Sequence, residues 1–197
     1  NLFPFLVMCE ADESYTGHNW VDMDNEEGGC LAVRHLLQNG YRHPVLFVEN
    51  KGTLFEQKRT FGFKRELREN GITPMKDDLI ECGAGQTQIA DKTKELLKKC
   101  PQADSIICPN NIVAYHVLQE LKRNQIRVPE QMGIITFDNY PLAEYLDPPL
   151  SVVDIDTYLL GERAASTLFD MIKQPEGKEE AALIKTSIIA RKSTKKR

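Results

Sequence analysis

From residue 21 onward the chain alternates between short apolar runs and longer segments with helical spacing, the signature of parallel strands joined by crossover helices. Pro44–Val48, Ser105–Cys108 and Gly133–Phe137 read as strands buried on both faces, with a weaker strand at Leu79–Cys82. A helix capped by Asp24 or Asn25 runs through Asn39, with Leu31, His35 and Leu36 on one side, and Gly40 stands where a left-handed terminating residue is wanted. Further helices are predicted over Leu54–Asn70 before Gly71, Thr87–Lys99 before Pro101, and Asn111–Asn124 before Val128-Pro129. This pattern predicts an α/β fold with a doubly wound, mostly parallel sheet.

The ends of the chain read differently. A strand at Pro4–Cys9 is followed by a polar loop, Glu10–Asn19, too long for a tight hairpin. After residue 150 come a strand at Ser151–Asp154, a helix at Thr157–Lys173, a charged loop at Pro175–Glu180 and a strand at Leu183–Ile189. One strand cannot make a sheet alone. The terminal pieces therefore predict a second lobe that the chain enters and leaves twice, with much of that lobe missing.

With 197 residues, 41% of them hydrophobic, the chain can bury one sizeable core or two small joined ones. A net charge of -4 argues against this segment gripping a polyanion, because such binding rests on clustered Lys and Arg. No apolar run approaches the ~20 residues of a membrane-spanning helix, and no signal sequence is visible. The cysteines at 9, 30, 82, 100 and 108 show no CxxC pairing, and the histidines at 18, 35, 43 and 116 no HExxH spacing, so reduced thiols and no metal are expected. Gly83-Ala84-Gly85 lacks the rest of a phosphate loop, and there is no GxSxG elbow. Asp24, Glu26 and Glu27 are read as helix-dipole residues, not as a catalytic carboxylate pair. Neither an enzyme nor a cofactor is expected.

In an open α/β sheet, ligands gather outside the carboxyl ends of the strands, where loops and free helix N–H groups converge. Glu49, Asn50 and Lys51 follow one strand, Pro109, Asn110 and Asn111 the next, and Asp138 and Asn139 a third. With Arg59 early in the following helix, this edge mixes acceptors with forked donors, which suits a polyhydroxylated ligand. Asp138 and Asn110 are equally suited to capping helices and loops. Their convergence with Arg59 at one edge favours a site.

These residues fall in stretches that resemble the LacI/GalR family of transcription regulators. Val21-Asp22-Met23-Asp24-Asn25-Glu26-Glu27-Gly28-Gly29, followed by Ala32, His35-Leu36-Leu37 and Gly40-Tyr41-Arg42, resembles its V-D-N-x-x-G-G…H-L…G-H-R signature. Arg59-Thr60-Phe61-Gly62-Phe63, Pro109-Asn110-Asn111, Val128-Pro129-Glu130, Ile135-Thr136-Phe137-Asp138-Asn139, Pro148-Pro149-Leu150-Ser151 with Leu160-Gly161, and Arg191-Lys192-Ser193-Thr194 match later pieces in order. The resemblance implies a periplasmic-binding-protein-like fold. It places residues 24–150 in the C-terminal lobe, with 190–194 returning to it, and makes residues 1–23 and 151–189 remnants of the N-terminal lobe; the DNA-binding headpiece is expected to lie outside this chain.

Carried over by position, Arg59, Asn110 and Asp138 match the family's effector contacts, and Gln86 falls near where an aromatic often stacks on the ligand. Asn111 and Asn139 stand where the family usually has Asp. The implied protein is a cytoplasmic repressor that binds a small sugar or sugar phosphate between lobes. It acts as a homodimer and touches operator DNA only through its headpiece. A periplasmic sugar-binding protein of a transport system is the alternative. The apolar segment Tyr140–Leu146 is expected either at the dimer interface or as a short helix packed on its own sheet.

Overall fold

A computed structural model of the chain describes residues 3–10, 19–174 and 181–195. Most of the Glu10–Asn19 loop, His18 within it, the Pro175–Glu180 loop and the last two residues of the basic tail lie outside the described residues. In chain order the elements are β1 (Val7–Met8), β2 (Trp20–Met23), α1 (Asn25–Gln38), β3 (Pro44–Val48), α2 (Leu54–Glu69), β4 (Leu79–Glu81), α3 (Gln86–Lys99), β5 (Ser105–Cys108) and α4 (Asn111–Arg123). There follow β6 (Gly133–Phe137), α5 (Leu142–Tyr145), β7 (Ser151–Ile155), α6 (Thr157–Lys173), β8 (Ala181–Ile184) and β9 (Thr186–Ile189).

The chain divides into two units, one of residues 1–24 and 155–186 and a larger one of 25–154 and 187–197. In the larger unit a six-stranded sheet has the order β4-β3-β5-β6-β7-β9, and the β3–β4, β3–β5, β5–β6 and β6–β7 pairs are all parallel. Every residue of β3, β5 and β6 is buried, as expected for strands covered on both faces. Alternation along each strand separates two cores. Val45, Phe47, Ile106, Cys108 and Ile134 join Ile89 and Leu96 of α3 and Val113, Val117 and Leu121 of α4 in one cluster. The opposite set includes Phe137, over which Arg59 of α2 lies.

Helices α1 and α2 pack at backbone contact, and two glycines make this possible. A Cβ on Gly29 would overlap the Arg59 carbonyl, and one on Gly62 would overlap the Glu26 carbonyl. The seam is then tied by charge: Arg34 bonds Glu66 at 2.6 Å and Glu27 at 3.3 Å, and Arg65 pairs with Glu26 and Glu27. Gly40 ends the α1 segment at φ +87, a left-handed conformation that glycine adopts without strain.

The C-terminal Arg191-Lys192-Ser193-Thr194 is stitched into the larger unit. Ser193 Oγ donates to the Ile134 carbonyl (2.6 Å) and accepts from the Ser151 N–H (2.8 Å). Thr194 Oγ1 meets Ser151 Oγ at 2.6 Å and His35 Nε2 at 2.7 Å, and Arg191 donates to the Leu150 carbonyl, Asn139 and Glu144.

The smaller unit holds a three-stranded sheet, β1-β2-β8, parallel in both pairings, with α6 against β2. Here the observed boundaries differ from the sequence reading. Ser151–Ile155 is a strand of the larger sheet, and the stretch read as one strand over Leu183–Ile189 is two, β8 in the smaller sheet and β9 in the larger. The crossings between units fall after residues 154 and 186 instead of 150 and 189. Continuous β propensity through Leu183–Ile189 carries no sign that the pairing partner changes at Lys185.

Candidate functional site

The strand order of the larger sheet reverses between β3 and β5: from β3 the chain builds outward to β4, then returns to the other side. Loops leaving such a switch point diverge and open a crevice at the carboxyl ends. A side-chain hydrogen bond spans it. Asn110 Nδ2, after β5, donates to Glu49 Oε1, after β3, at 2.8 Å. Asn110 also caps α4, its Oδ1 accepting from the Val113 N–H at 2.9 Å, as the capping reading of this residue expects.

Arg59 is 7% exposed and held from three directions. Its Nε donates to Asn25 Oδ1 at 2.9 Å, its Nη1 donates to the Pro109 carbonyl at 3.1 Å, and its guanidinium lies 3.8 Å from the Phe137 ring centre and 5.1 Å from that of Phe55. Stacking on an aromatic face is favourable for a guanidinium stripped of water. Because two of its donors serve the protein, Arg59 fastens the starts of α1 and α4 to the site as well as charging it.

Asp138 follows β6 in a left-handed conformation (φ +69) that Asp tolerates better than most residues. The β6–β7 ladder ends at it, its N–H donating to the Val153 carbonyl at 3.0 Å. Burial raises its carboxyl above the ordinary value; Arg59 opposes that and Asp154 adds to it. Asn111, 3% exposed, donates from Nδ2 to the Phe137 carbonyl (3.1 Å) and the Asp138 carbonyl (2.8 Å). A carboxylate could not make those two donations, which gives the Asn at this position a physical role.

Arg59, Asn110 and Asp138 thus share one edge. Gln86 is the first residue of α3, exposed, and among the described residues no hydrogen bond joins it to the other three. A groove of about 450 Å³ lies elsewhere, along β4 and α3 between Lys51, Glu81, Lys92 and Lys99, and includes none of the four. Its mixed charges, with Glu95 already bonded to Lys92 and Lys99, form a solvated ion-pair face.

Sequence reasoning missed Phe55 and Glu56. Phe55 sits one turn before Arg59 and is 40% exposed. Glu56 is 1% exposed and accepts from the Glu49 and Asn50 N–H groups, both at 2.7 Å, which fixes the loop after β3. The spacing Thr53-x-x-Glu56 was the available signal for Glu56, a capping-box pattern whose carboxylate turns instead to the preceding loop.

Cys30, Cys82, Cys100 and Cys108 are free and buried. Burial pushes the Cys82 thiol up to about 12 and Cys108 well above its ordinary value, so these thiols stay protonated and unreactive at neutral pH. Among the described residues no group of His, Cys, Asp and Glu is arranged to hold a metal, and no helix is long and apolar enough to cross a membrane.

Residues 33–194 match the family described as the periplasmic binding protein-like domain. A curated relative, the HTH-type transcriptional repressor PurR of Vibrio parahaemolyticus, is 31% identical over 98% of this chain and 58% of its own length. The chain therefore spans somewhat over half the length of such relatives. Among solved structures, a putative LacI-type regulator from Bacillus cereus superposes with a TM-score of 0.88 at 23% identity, covering 97% of this chain and 68% of that one. A LacI family regulator from Enterococcus faecium with bound ribose superposes with a TM-score of 0.82 at 27% identity, covering 96% and 70%. With its parallel sheet and its switch-point edge, the chain belongs to the periplasmic binding protein-like domain family, and it is similar to LacI-type and PurR transcription regulators.

Proposed function

We propose that this chain is the effector-sensing part of a cytoplasmic transcription repressor and that the carboxyl edge of the larger sheet is one wall of its site for a small sugar or sugar phosphate. The observation that carries the reading is the convergence of Arg59, Asp138 and the Asn110–Glu49 bridge at the switch point. A ring of hydroxyls satisfies such alternating donors and acceptors, and a water-filled edge gains little by holding them so rigidly. Similarity to the ribose-bound regulator supports a sugar. The role is binding and conformational change, not catalysis. Residues 25–154 with 187–197 act as the C-terminal lobe and the remainder as part of the other lobe; Gln86 borders the site from α3.

Operator contact falls to a part of the protein other than this acidic segment, and the working species is a homodimer. The dimer patch is read from the outward side of Tyr140–Leu146: Leu146 packs against its own unit's core, whereas Tyr140 and Tyr145 are 63% and 83% exposed. Tyr145→Arg is therefore the substitution that should yield a monomer in sedimentation.

The effector site is tested by calorimetry with ribose and glucose on the full-length protein and its Asp138→Asn variant. Losing one carboxylate acceptor costs about 1–3 kcal/mol, a roughly ten- to hundredfold weaker Kd. Unchanged affinity in the variant removes Asp138 from the site. Arg59→Ala is the poorer test, because it also releases Asn25 and Pro109.

A further inference from the structure

Resting on the reading of the carboxyl edge as an effector site, we infer that Arg191, on the segment by which the chain returns to the larger unit, is a positioning residue for the loop after β6, so that the hold on an effector at Asp138 depends on the C-terminal segment.

The connection from β6 to β7 covers residues 138–150 and opens with Asp138 in its left-handed conformation. For a residue with a side chain that conformation lasts only where the surroundings fix the backbone on both sides. The Asp138 N–H and carbonyl are bonded to the Val153 carbonyl and the Asn111 amide. The far half of the connection is tied by its own backbone, the Leu150 N–H donating to the Ala143 carbonyl at 2.8 Å, and by Leu146 against the core. The near half is different. Asn139 and Tyr140 are exposed, and among the described residues the Asn139 side chain has one partner, Arg191, whose Nη2 donates to its Oδ1 at 2.7 Å.

The same guanidinium reaches the other end of the connection, its Nη1 donating to the Leu150 carbonyl at 2.8 Å. A planar fork with donors in fixed directions joins both ends in a single geometry, which a flexible point charge does not do. Its third bond, to Glu144, contributes little, because that carboxylate is 59% exposed and well screened. The clasp between Leu150 and Asn139 therefore carries the hold. It is separable from the docking of the segment itself: the Arg191 N–H donates to Ser151 Oγ, and Ser193 and Thr194 are bonded to Ile134, Ser151 and His35 without help from the Arg191 side chain. Trimming that side chain leaves the segment in place and frees the start of the loop.

Hydrogen exchange on the ligand-free, full-length protein reads the hold directly. Arg191→Gln should speed exchange over residues 138–146 by roughly tenfold, with residues 44–48 and 105–108 unchanged and thermal unfolding still cooperative. Calorimetry with a panel of D-ribose, D-glucose and D-galactose should show the tightest-binding sugar weakened by roughly tenfold in Arg191→Gln, and by less in Arg191→Lys, which keeps the charge but cannot span both acceptors. Asn139→Ala removes the same bond from the loop side and gives the same two readouts should Arg191→Gln fail to fold. Unchanged exchange over residues 138–146 in the folded variants overturns the inference, as does unchanged sugar affinity in them; both results leave the effector site standing. If the wild type binds no sugar of the panel, the sugar-site reading itself fails and this inference falls with it.

Discussion

The two units use the same ingredients, parallel strands and an amphipathic helix, to different ends. In the larger one β3, β5 and β6 are buried throughout and their helices close over both faces. In the smaller one the 17-residue α6 buries Thr167 alone, while Tyr158, Phe169 and Ile172 are 83%, 62% and 55% exposed. The lesson is that amphipathic pattern specifies which face of an element wants cover, and topology decides whether the same unit supplies it. A site that needs side chains held within a fraction of an ångström belongs on the covered unit, and there Arg59, Asn110 and Asp138 are found.

Substitutions can break or sharpen that contrast. Phe63 is fully buried in α2, so Phe63→Ala should lower unfolding stability in denaturant by about 3–5 kcal/mol, and Phe169→Ala in α6 should change it by less than about 0.5 kcal/mol. A cost above about 2 kcal/mol at Phe169 would show that its face is covered and would end the contrast. Glycines give a second pair. Gly62→Ala forces α2 away from the Glu26 backbone and should cost about 1–3 kcal/mol, whereas Gly161 has open space around its Cβ position, so Gly161→Ala should gain about 0.5–1 kcal/mol from helix propensity. Equal effects at both positions would mean that α1 and α2 do not touch as described.

The smallest effect is in pH. The Asp138 carboxyl lies above its ordinary value because of burial, with Asp154 adding and Arg59 opposing. For a carboxyl raised in the folded state, the favourable contribution is fully present below the unfolded value and is lost as pH rises through the folded one. Stability of the larger unit should therefore decline over that acidic window in the wild type relative to Asp138→Asn. Sugar affinity should move oppositely, weakening as pH falls and Asp138 takes up its proton. Parallel pH profiles for the two proteins would assign the effect to another group.

Much of this was legible in the sequence where one face of evidence sufficed. Pro44–Val48, Ser105–Cys108 and Gly133–Phe137 form strands with the expected bounds, because doubly covered strands are apolar throughout and end at polar clusters. Those polar clusters lie, as expected, at the carboxyl edge of the sheet. The influence of Asp154 on Asp138 was not legible, since it shows only once β6 and β7 are known to lie side by side. Lys185 as a crossing between sheets was hidden for a related reason: propensity describes a strand, not its partner. The ends of Tyr140–Leu146 were ambiguous until the short α5 showed Ala143 buried and Tyr145 outward.

The central claim is that the carboxyl edge of the larger sheet is where the effector binds. Backbone hydrogen exchange on the full-length protein, with and without a saturating concentration of the tightest-binding sugar of the calorimetric panel, tests it most directly. Protection is expected in the segments after the strands, residues 49–55, 109–113 and 138–139, with the β4–α3 groove unchanged. Protection confined to residues 76–81 and 92–100, with those three segments unaffected, would contradict the account.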